Sequence, residues 1–447
     1  MGPQKTTTEA AELKSAHNNT HTHDYRETHD RAPASDVDSI LEASRAADTA
    51  VPEGGYGWVV VAGLTVVAWW NVGTSYSWGV IQVALIREDV SPASTLSFVG
   101  SLSAAMVSAM ALANARVIRR VGVRWSALLG ISILGISEIA CSFLVRNIIG
   151  LFFTAGLILG IGKSHCTMTQ ATAPPQYFHR KRGLANGIVV AGGGFGGAVI
   201  SVALNALIEK VGLDWTYRVL GLSTIVTGLP AAWLVKERYP VRPSGFIEWR
   251  LFKDLNFVLI LLAGAAATFP LLVPPFFIPL YGQSIGLSSR VGAALLAAFN
   301  FSSAVGRILC GQMCDMIGAV NTLFVSLLIT ALSMLVIWPF STTFAPLLAF
   351  SIVNGLSNGG FFSIMPTVVG NVFGSARVSV AMGMIVTSWG AGYLMVIDVH
   401  LDAKFTYVLN TDDSFRAHRS LVTYSMLTAD RRTDIGHIGR QFCILGQ

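Results

Sequence analysis

Long apolar runs separated by short polar breaks fill most of the chain after residue 50. Eleven of these runs read as membrane helices: 57–86, 94–115, 125–145, 148–173, 184–208, 216–235, 256–282, 291–313, 320–340, 344–368 and 378–397. Each matches the roughly 20 residues that a helix needs to cross the hydrocarbon core of a bilayer. The connections are mostly short. The exception runs from Lys236 to Asp254 and is polar and proline-containing. It predicts an N-terminal membrane half at 51–235, a central loop at 236–255 and a second half at 256–397.

Both flanks lack this pattern. Residues 1–50 hold 5 Lys/Arg and 9 Asp/Glu with no apolar stretch, which predicts a disordered tail rather than a signal peptide or a folded domain. Within it, His17 to His29 reads either as a weak metal-binding string or as plain solvated tail. Residues 398–447 hold six Lys/Arg and six Asp/Glu and no apolar run of membrane length. No twelfth helix is expected there. This polar end reads either as the product of an altered gene model or as a natural eleven-helix variant.

Composition excludes a soluble protein. Of the 447 residues, 52% are hydrophobic and 13% are charged, and mean hydropathy is +0.57. Soluble domains carry about 25% charged residues. Charge then sets the orientation. With the N-terminus cytoplasmic, the loops on that side between residues 51 and 396 carry 13 Lys/Arg, against 5 on the other. The positive-inside rule favours this arrangement. The sequence pI near 9.1 is therefore a topology signal and implies no nucleic-acid partner, which would need a basic surface on a soluble domain. On this topology Asn18-Asn19-Thr20 is a glycosylation sequon on the wrong side for use. Cys310 and Cys314 lie one helical turn apart in an apolar run with no second Cys/His pair, so packed thiols are expected rather than zinc. No cofactor is implied. No G-x-x-x-x-G-K-[ST] string occurs, so any driving energy comes from a gradient rather than from bound ATP.

The halves repeat. GLILG at Gly156 returns as GLSNG at Gly355, 199 residues on. Gly122 has a counterpart in Gly318, 196 residues on, and Arg182 in Arg377, 195 residues on. Three features at nearly one offset point to an internal duplication, with a midplane site between the halves.

Two longer motifs carry a resemblance. Residues 53–58 read Glu53-Gly54-Gly55-Tyr56-Gly57-Trp58, and a charge-free run follows them. The aromatic residue suits a membrane–water interface. Between the fourth and fifth helices lies YFHRKRGLANGIVVAGGGFGG, which includes Tyr177, Phe178, Arg180, Lys181, Arg182 and Gly187. The basic cluster anchors the loop, and the glycines let neighbouring helix backbones approach closely. Together these motifs resemble the signatures of the monocarboxylate porter family of major facilitator transporters. The stretch Pro274 to Gly318 looks like its fungal branch. The resemblance spans roughly 52–397. It implies an all-α membrane protein with the major facilitator fold of two six-helix repeats, the twelfth helix here missing or altered. The loop Arg116 to Arg124 resembles a degenerate form of the general facilitator loop motif, and its second-half copy keeps Asp315 and Gly318. The resemblance implies a latch between helix ends; plain cytoplasmic anchoring is the competing reading.

Charges inside apolar runs are costly and usually face a cavity. Arg307 sits within the eighth segment, and the resemblance makes it the arginine that binds a substrate carboxylate. Its planar fork suits that role, and a structural interhelical pair is the alternative. The family often has an Asp four residues earlier, where this chain has Ser303. Animal members carry a Lys late in helix 1, where counting reaches Tyr76. Both departures argue against simple proton–lactate symport. Lys163 lies 14 residues before Tyr177, about 21 Å along an ideal helix. It reads either as cavity lining or as a lysine snorkelling to the interface. Glu138 and His165 are coupling candidates, Glu138 with a role as buried partner for a cation as its alternative and His165 with a packing role as its alternative. Asn300 shares the approximate face of Arg307 and is expected to line the site. Pro270, Pro274, Pro275 and Pro279 are expected to break helix 7 into a gating element.

These readings predict a secondary or facilitative transporter that moves a small organic anion, monocarboxylate-like, by alternating access. Its partners are a small-molecule substrate, the lipid bilayer and, as the candidate coupling ion, the proton. The plasma membrane is the location the resemblance implies. Export of a fungal secondary metabolite is the alternative, and a non-transporting sensor on the same fold is a second. No convergent catalytic constellation points to an enzyme.

Overall fold

The structure, a computed structural model, describes residues 53–238, 248–374 and 377–409. These residues form helices and connecting turns, with no strand among them. Helices α1 (Gly57–Tyr76) and α2 (Trp78–Arg87) make one pass that changes course at Ser77. Then come α3 (Ala93–Val121) and α4 (Val123–Leu144). The fourth pass starts as α5 (Ile148–Leu151), runs through a π-helical stretch at Phe152–Ile158 and ends as α6 (Leu159–Thr172). Pro174 and Pro175 stop it in a short 3-10 turn.

Helix α7 (Arg182–Leu234) has 53 residues, about 80 Å if straight and far more than one crossing. Gly212 divides it at φ 77°, ψ 173°, a backbone region open to glycine but disfavoured for other residues. Residues 182–211 and 213–234 are thus the fifth and sixth passes. The second half comprises α8 (Leu255–Ser284), α9 (Ser289–Ile317), α10 (Ala319–Leu332) with a further two turns to Phe340, α11 (Phe344–Phe373) and α12 (Val378–Leu409). Every apolar run read from the sequence corresponds to one pass. Helix α12 continues twelve residues beyond its apolar run. Residues 1–50, with their His string and sequon, and 410–447, where the twelfth helix would fall, lie outside the described residues.

The duplication is visible in the backbone. Gly122, between α3 and α4, has φ 89°, ψ 162°. Gly318, between α9 and α10, has φ 92°, ψ 150°. The same left-handed turn is built twice, 196 residues apart.

One expectation fails at α8. Its four prolines lie inside a continuous helix. Pro275 has no N–H, so the carbonyl of Leu271, four residues earlier, loses its helical partner. Asn358 of α11 supplies a substitute, donating from Nδ2 at 2.7 Å. A neighbouring side chain meets the demand that proline creates, and the helix persists.

The buried apolar clusters fix the shape. At the end where the basic loops lie, one cluster joins both halves, including Val60, Ile118 and Phe178 with Phe257, Phe373 and Val380. At the opposite end each half has its own cluster. One is built on Trp78, Leu85, Leu96 and Leu213, the other on Ile278, Leu295, Trp338 and Phe350. The bundle is sealed at the basic end and its apolar core is divided at the other.

Candidate substrate cavity

A cavity of about 190 Å³ lies between the halves, more than ten times the space that one water needs. Helices α1 to α4, α6 and α7 form one wall. Arg307 of α9, Phe362 and Pro366 of α11, and Met382 and Trp389 of α12 contribute to the other. Tyr76, Glu138, Lys163 and Arg307 all line this space, so four of the residues singled out from the sequence converge. Lys163 therefore faces the cavity and does not snorkel to the interface.

Arg307 is 1% exposed and bridges the halves. Its Nη1 donates to the Val190 carbonyl of α7 at 2.7 Å. Its Nη2 donates to the Tyr76 hydroxyl at 2.7 Å, and its Cζ lies 5.5 Å from the centre of the Tyr76 ring. Its Nε has no partner, and no carboxylate of the described residues pairs with it. A buried guanidinium held by neutral groups leaves a positive charge uncompensated. Tyr76 supplies an acceptor and a ring face to this cation.

Glu138 is also 1% exposed. Its Oε2 accepts from the Thr224 hydroxyl at 2.7 Å, while Oε1 has no partner. Asn71 donates to Thr167 at 3.0 Å along the same wall, and the Nε2 of nearby Gln170 is unpartnered.

Asn300, expected to line the site, and the coupling candidate His165 are not among the residues that line the cavity. Asn300 is fully buried where α9 meets the glycine face of α7. A side chain added at Gly194 would meet its carbonyl oxygen at 2.9 Å. Helical spacing placed Asn300 near the face of Arg307, but α7 covers that part of the face. His165 points toward α4, where its Nδ1 lies 3.1 Å from the Ser126 hydroxyl.

The glycines of α7 explain how the halves meet. A Cβ at Gly187 would strike the Arg307 backbone, one at Gly193 would strike Val72, and one at Gly196 would strike Trp69. One face of α7 therefore packs on α1 and another on α9.

The two sequence signatures dock on each other at the basic end. Glu53 accepts from the backbone N–H groups of His179 (2.9 Å), Arg180 (2.5 Å) and Lys181 (3.2 Å). Burial pushes its carboxyl up, but these three donors outweigh that and hold it below the usual range. Trp58 packs edge-on against Phe178, ring centres 4.7 Å apart. The Tyr56 hydroxyl donates to the Leu234 carbonyl and the Tyr177 hydroxyl to the Lys236 carbonyl. A Cβ at Gly57 would overlap Tyr177. From the second half, Asp315 accepts from the N–H groups of Gly183 (2.7 Å) and Leu184 (2.8 Å), the first turn of α7. Arg182 reaches Asn371 at 3.1 Å, and Arg377 pairs with Glu248 at 3.3 Å.

Sequence reasoning missed the aromatic wall. Phe362 and Trp389 look in the sequence like any other aromatic residue of an apolar run. One signal was available: the 199-residue offset that carries Gly156 onto Gly355 also carries Lys163 onto Phe362.

A duplicated helical bundle sealed at one end, with a buried charged cavity between its halves, has the form of a multi-pass membrane transporter. The chain belongs to the Major Facilitator Superfamily, whose sequence pattern matches residues 59–396; it is a transporter and not an enzyme. It is 28% identical over 361 residues to the aspyridones efflux protein of Emericella nidulans, covering 78% of this chain and 73% of that one. It is 27% identical over 341 residues to the agnestins efflux protein of Paecilomyces divaricatus, covering 74% and 76%. Among solved structures it resembles the proton:xylose symporter XylE with a TM-score of 0.63 at 12% identity, over 84% of this chain and 95% of that one. That likeness concerns the fold.

Proposed function

We propose that this chain exports an acidic secondary metabolite from a fungal cell by alternating access, with the anionic group of the substrate seated at Arg307. The observation that carries this reading is the buried, carboxylate-free environment of Arg307 inside the cavity. The efflux proteins among the relatives support export. So do the two departures from the porter pattern, Ser303 and Tyr76, which remove the groups associated with lactate symport. The apolar wall of Phe362, Met382 and Trp389 suits a substrate with a hydrophobic body larger than lactate. The basic end is then cytoplasmic, the plasma membrane is the site of action, and the cavity in this structure is poised toward the exterior.

A second reading keeps the porter resemblance and has the chain import small monocarboxylates. It rests on the two docked signatures.

Export is tested in a yeast strain lacking its own efflux pumps and loaded with a panel of acidic, neutral and basic aromatic metabolites. Acidic compounds should leave faster when the chain is expressed. Removing a charge-assisted contact worth about 1.5–3 kcal/mol should make Arg307→Ala roughly ten- to a hundred-fold slower, while Arg307→Lys keeps part of the activity. Export of neutral compounds unaffected by Arg307→Ala overturns the proposal. Acid-stimulated lactate uptake that depends on Arg307 establishes the second reading instead.

A further inference from the structure

Away from the central cavity, α3 and α4 leave an open groove of about 640 Å³ between them. Val117 and Val121 of α3 line one side, and Trp125, Leu128, Leu129 and Ser132 of α4 line the other. Val121, Trp125 and Leu129 are 46%, 60% and 43% exposed. From Trp125 to Ser132 the wall runs about 10 Å along the helix. Both helices are long and apolar enough to cross a membrane, so a slot of this kind meets acyl chains rather than water.

The shallow end of the groove is basic. It closes at the Gly122 turn, and Arg120 and Arg124 stand two residues to either side of that glycine. Helical spacing puts each beside the groove, Arg120 one turn from Val117 and Arg124 one turn from Leu128. Arg124 is held in place. Its Nε donates to the Val235 carbonyl at 3.0 Å, and its Cζ lies 5.1 Å from the centre of the Trp233 ring. Trp233 in turn packs edge-on against Trp125, ring centres 6.1 Å apart. Among the described residues, neither exposed Arg120 nor the Nη groups of Arg124 has a hydrogen bond or an ion pair. The acid beside the turn, Glu237, accepts from the Val123 N–H at 3.4 Å.

An arginine at a helix end is ordinarily a solvated topology anchor, and the second half shows that the turn itself does not require one. At the matching offset of 196 residues it keeps apolar residues for the lining, Met313, Ile317, Phe324 and Val325. It has Met316 and Val320 in place of the two arginines and Asn321 in place of Trp125. The same left-handed glycine turn forms there. The charges and the indole belong to the first-half groove and not to the duplicated fold.

We infer that this groove binds an anionic phospholipid of the leaflet at the basic end, with one acyl chain along Trp125 and Leu129 and the phosphate at Arg120 and Arg124. A guanidinium matches phosphate oxygens with paired N–H donors. A zwitterionic lipid brings its own cation against the two arginines, so the anionic headgroup is preferred. The chain supplies apolar contact and the phosphate supplies selectivity. None of this depends on what the central cavity carries.

The test uses the full chain in nanodiscs of phosphatidylcholine doped with a lipid carrying brominated chains, which quench tryptophan on contact. The Trp125 signal is the difference between wild type and Trp125→Phe. Brominated phosphatidylserine should quench it at a mole fraction roughly fivefold lower than brominated phosphatidylcholine does. Arg120→Gln with Arg124→Gln should abolish that preference and leave quenching by phosphatidylcholine unchanged. Arg120→Gln alone removes no internal contact, so it keeps the fold and should weaken the preference by itself. Arg250→Gln with Lys253→Gln removes exposed charge elsewhere at the same end and should preserve it. Glycerophosphoserine, the headgroup without chains, should not compete. Equal quenching by the two lipids overturns the proposal and leaves ordinary boundary lipid. So does a preference that survives loss of both arginines, or one that falls equally in Arg250→Gln with Lys253→Gln, which is attraction to a basic surface. Competition by glycerophosphoserine overturns the acyl seat.

Discussion

Arg307 has three kinds of nitrogen, and the protein engages two of them. Nη1 and Nη2 are spent on Val190 and Tyr76, both in the first half, while Nε remains unpartnered. This side chain was legible in the sequence because a charge in an apolar run demands an explanation. Asn300 was misread because spacing along one helix cannot show which neighbour covers which face. Asn358 was not singled out, since a polar residue in a glycine-rich helix gives no hint that a proline elsewhere has freed a carbonyl. Its role is measurable. Asn358→Leu strands the Leu271 carbonyl, and thermal unfolding of the purified protein should reveal a loss of about 1–3 kcal/mol. Glu53 gives a pH signature. Its carboxyl is held below the usual range in the folded state, so its stabilisation is present at neutral pH and is lost as pH falls through the folded-state value. Glu53→Gln should lower the melting temperature at pH 7, and the gap from wild type should close as pH drops toward 3.

At the scale of elements, the glycine-rich helix governs how the halves meet. The GGGFGG run announced close packing, and α7 does lie against α1 and α9 by its glycines. The membrane passes were legible because the bilayer leaves few ways to satisfy a backbone, and a long apolar run has little choice but helix. The proline-rich segment misled for the same reason in reverse: proline removes a donor, but the repair came from α11, and no local pattern records it. At the basic end, Gly183 and Gly311 sit backbone to backbone. A Cβ on Gly311 would collide with the Gly183 carbonyl and, at 3.2 Å, crowd Gly187. Gly311→Val should therefore part α7 from α9 at that end. A cysteine placed on the buried side of this contact should then become reactive to a membrane-impermeant maleimide from the basic side. Unchanged reactivity would mean that the helices absorb the methyl groups by a small shift.

Two unlike interactions join the halves of the molecule at the same end. The joint apolar cluster spans both halves, and Asp315 of the second half caps the start of α7 in the first. Glu53 caps the preceding loop from within its own half, so under the proposed alternating access it can stay in place, whereas the Asp315 contacts, which join the halves, must break. The Asp315 carboxyl satisfies two free N–H groups of the α7 start, and leaving them without an acceptor costs about 1–3 kcal/mol. Alanine removes that acceptor. Asp315→Ala should therefore favour opening of the basic end, changing the ratio of states by roughly five- to thirty-fold. Spin labels at Leu129 of α4 and Val325 of α10, both exposed and 196 residues apart like Gly122 and Gly318, report the separation of the halves in a cysteine-free background. The variant should add a longer-distance population that the parent lacks. If Gly311→Val produces that population and Asp315→Ala does not, packing alone holds the end shut, and the carboxyl at position 315 serves the local cap without setting the balance between states.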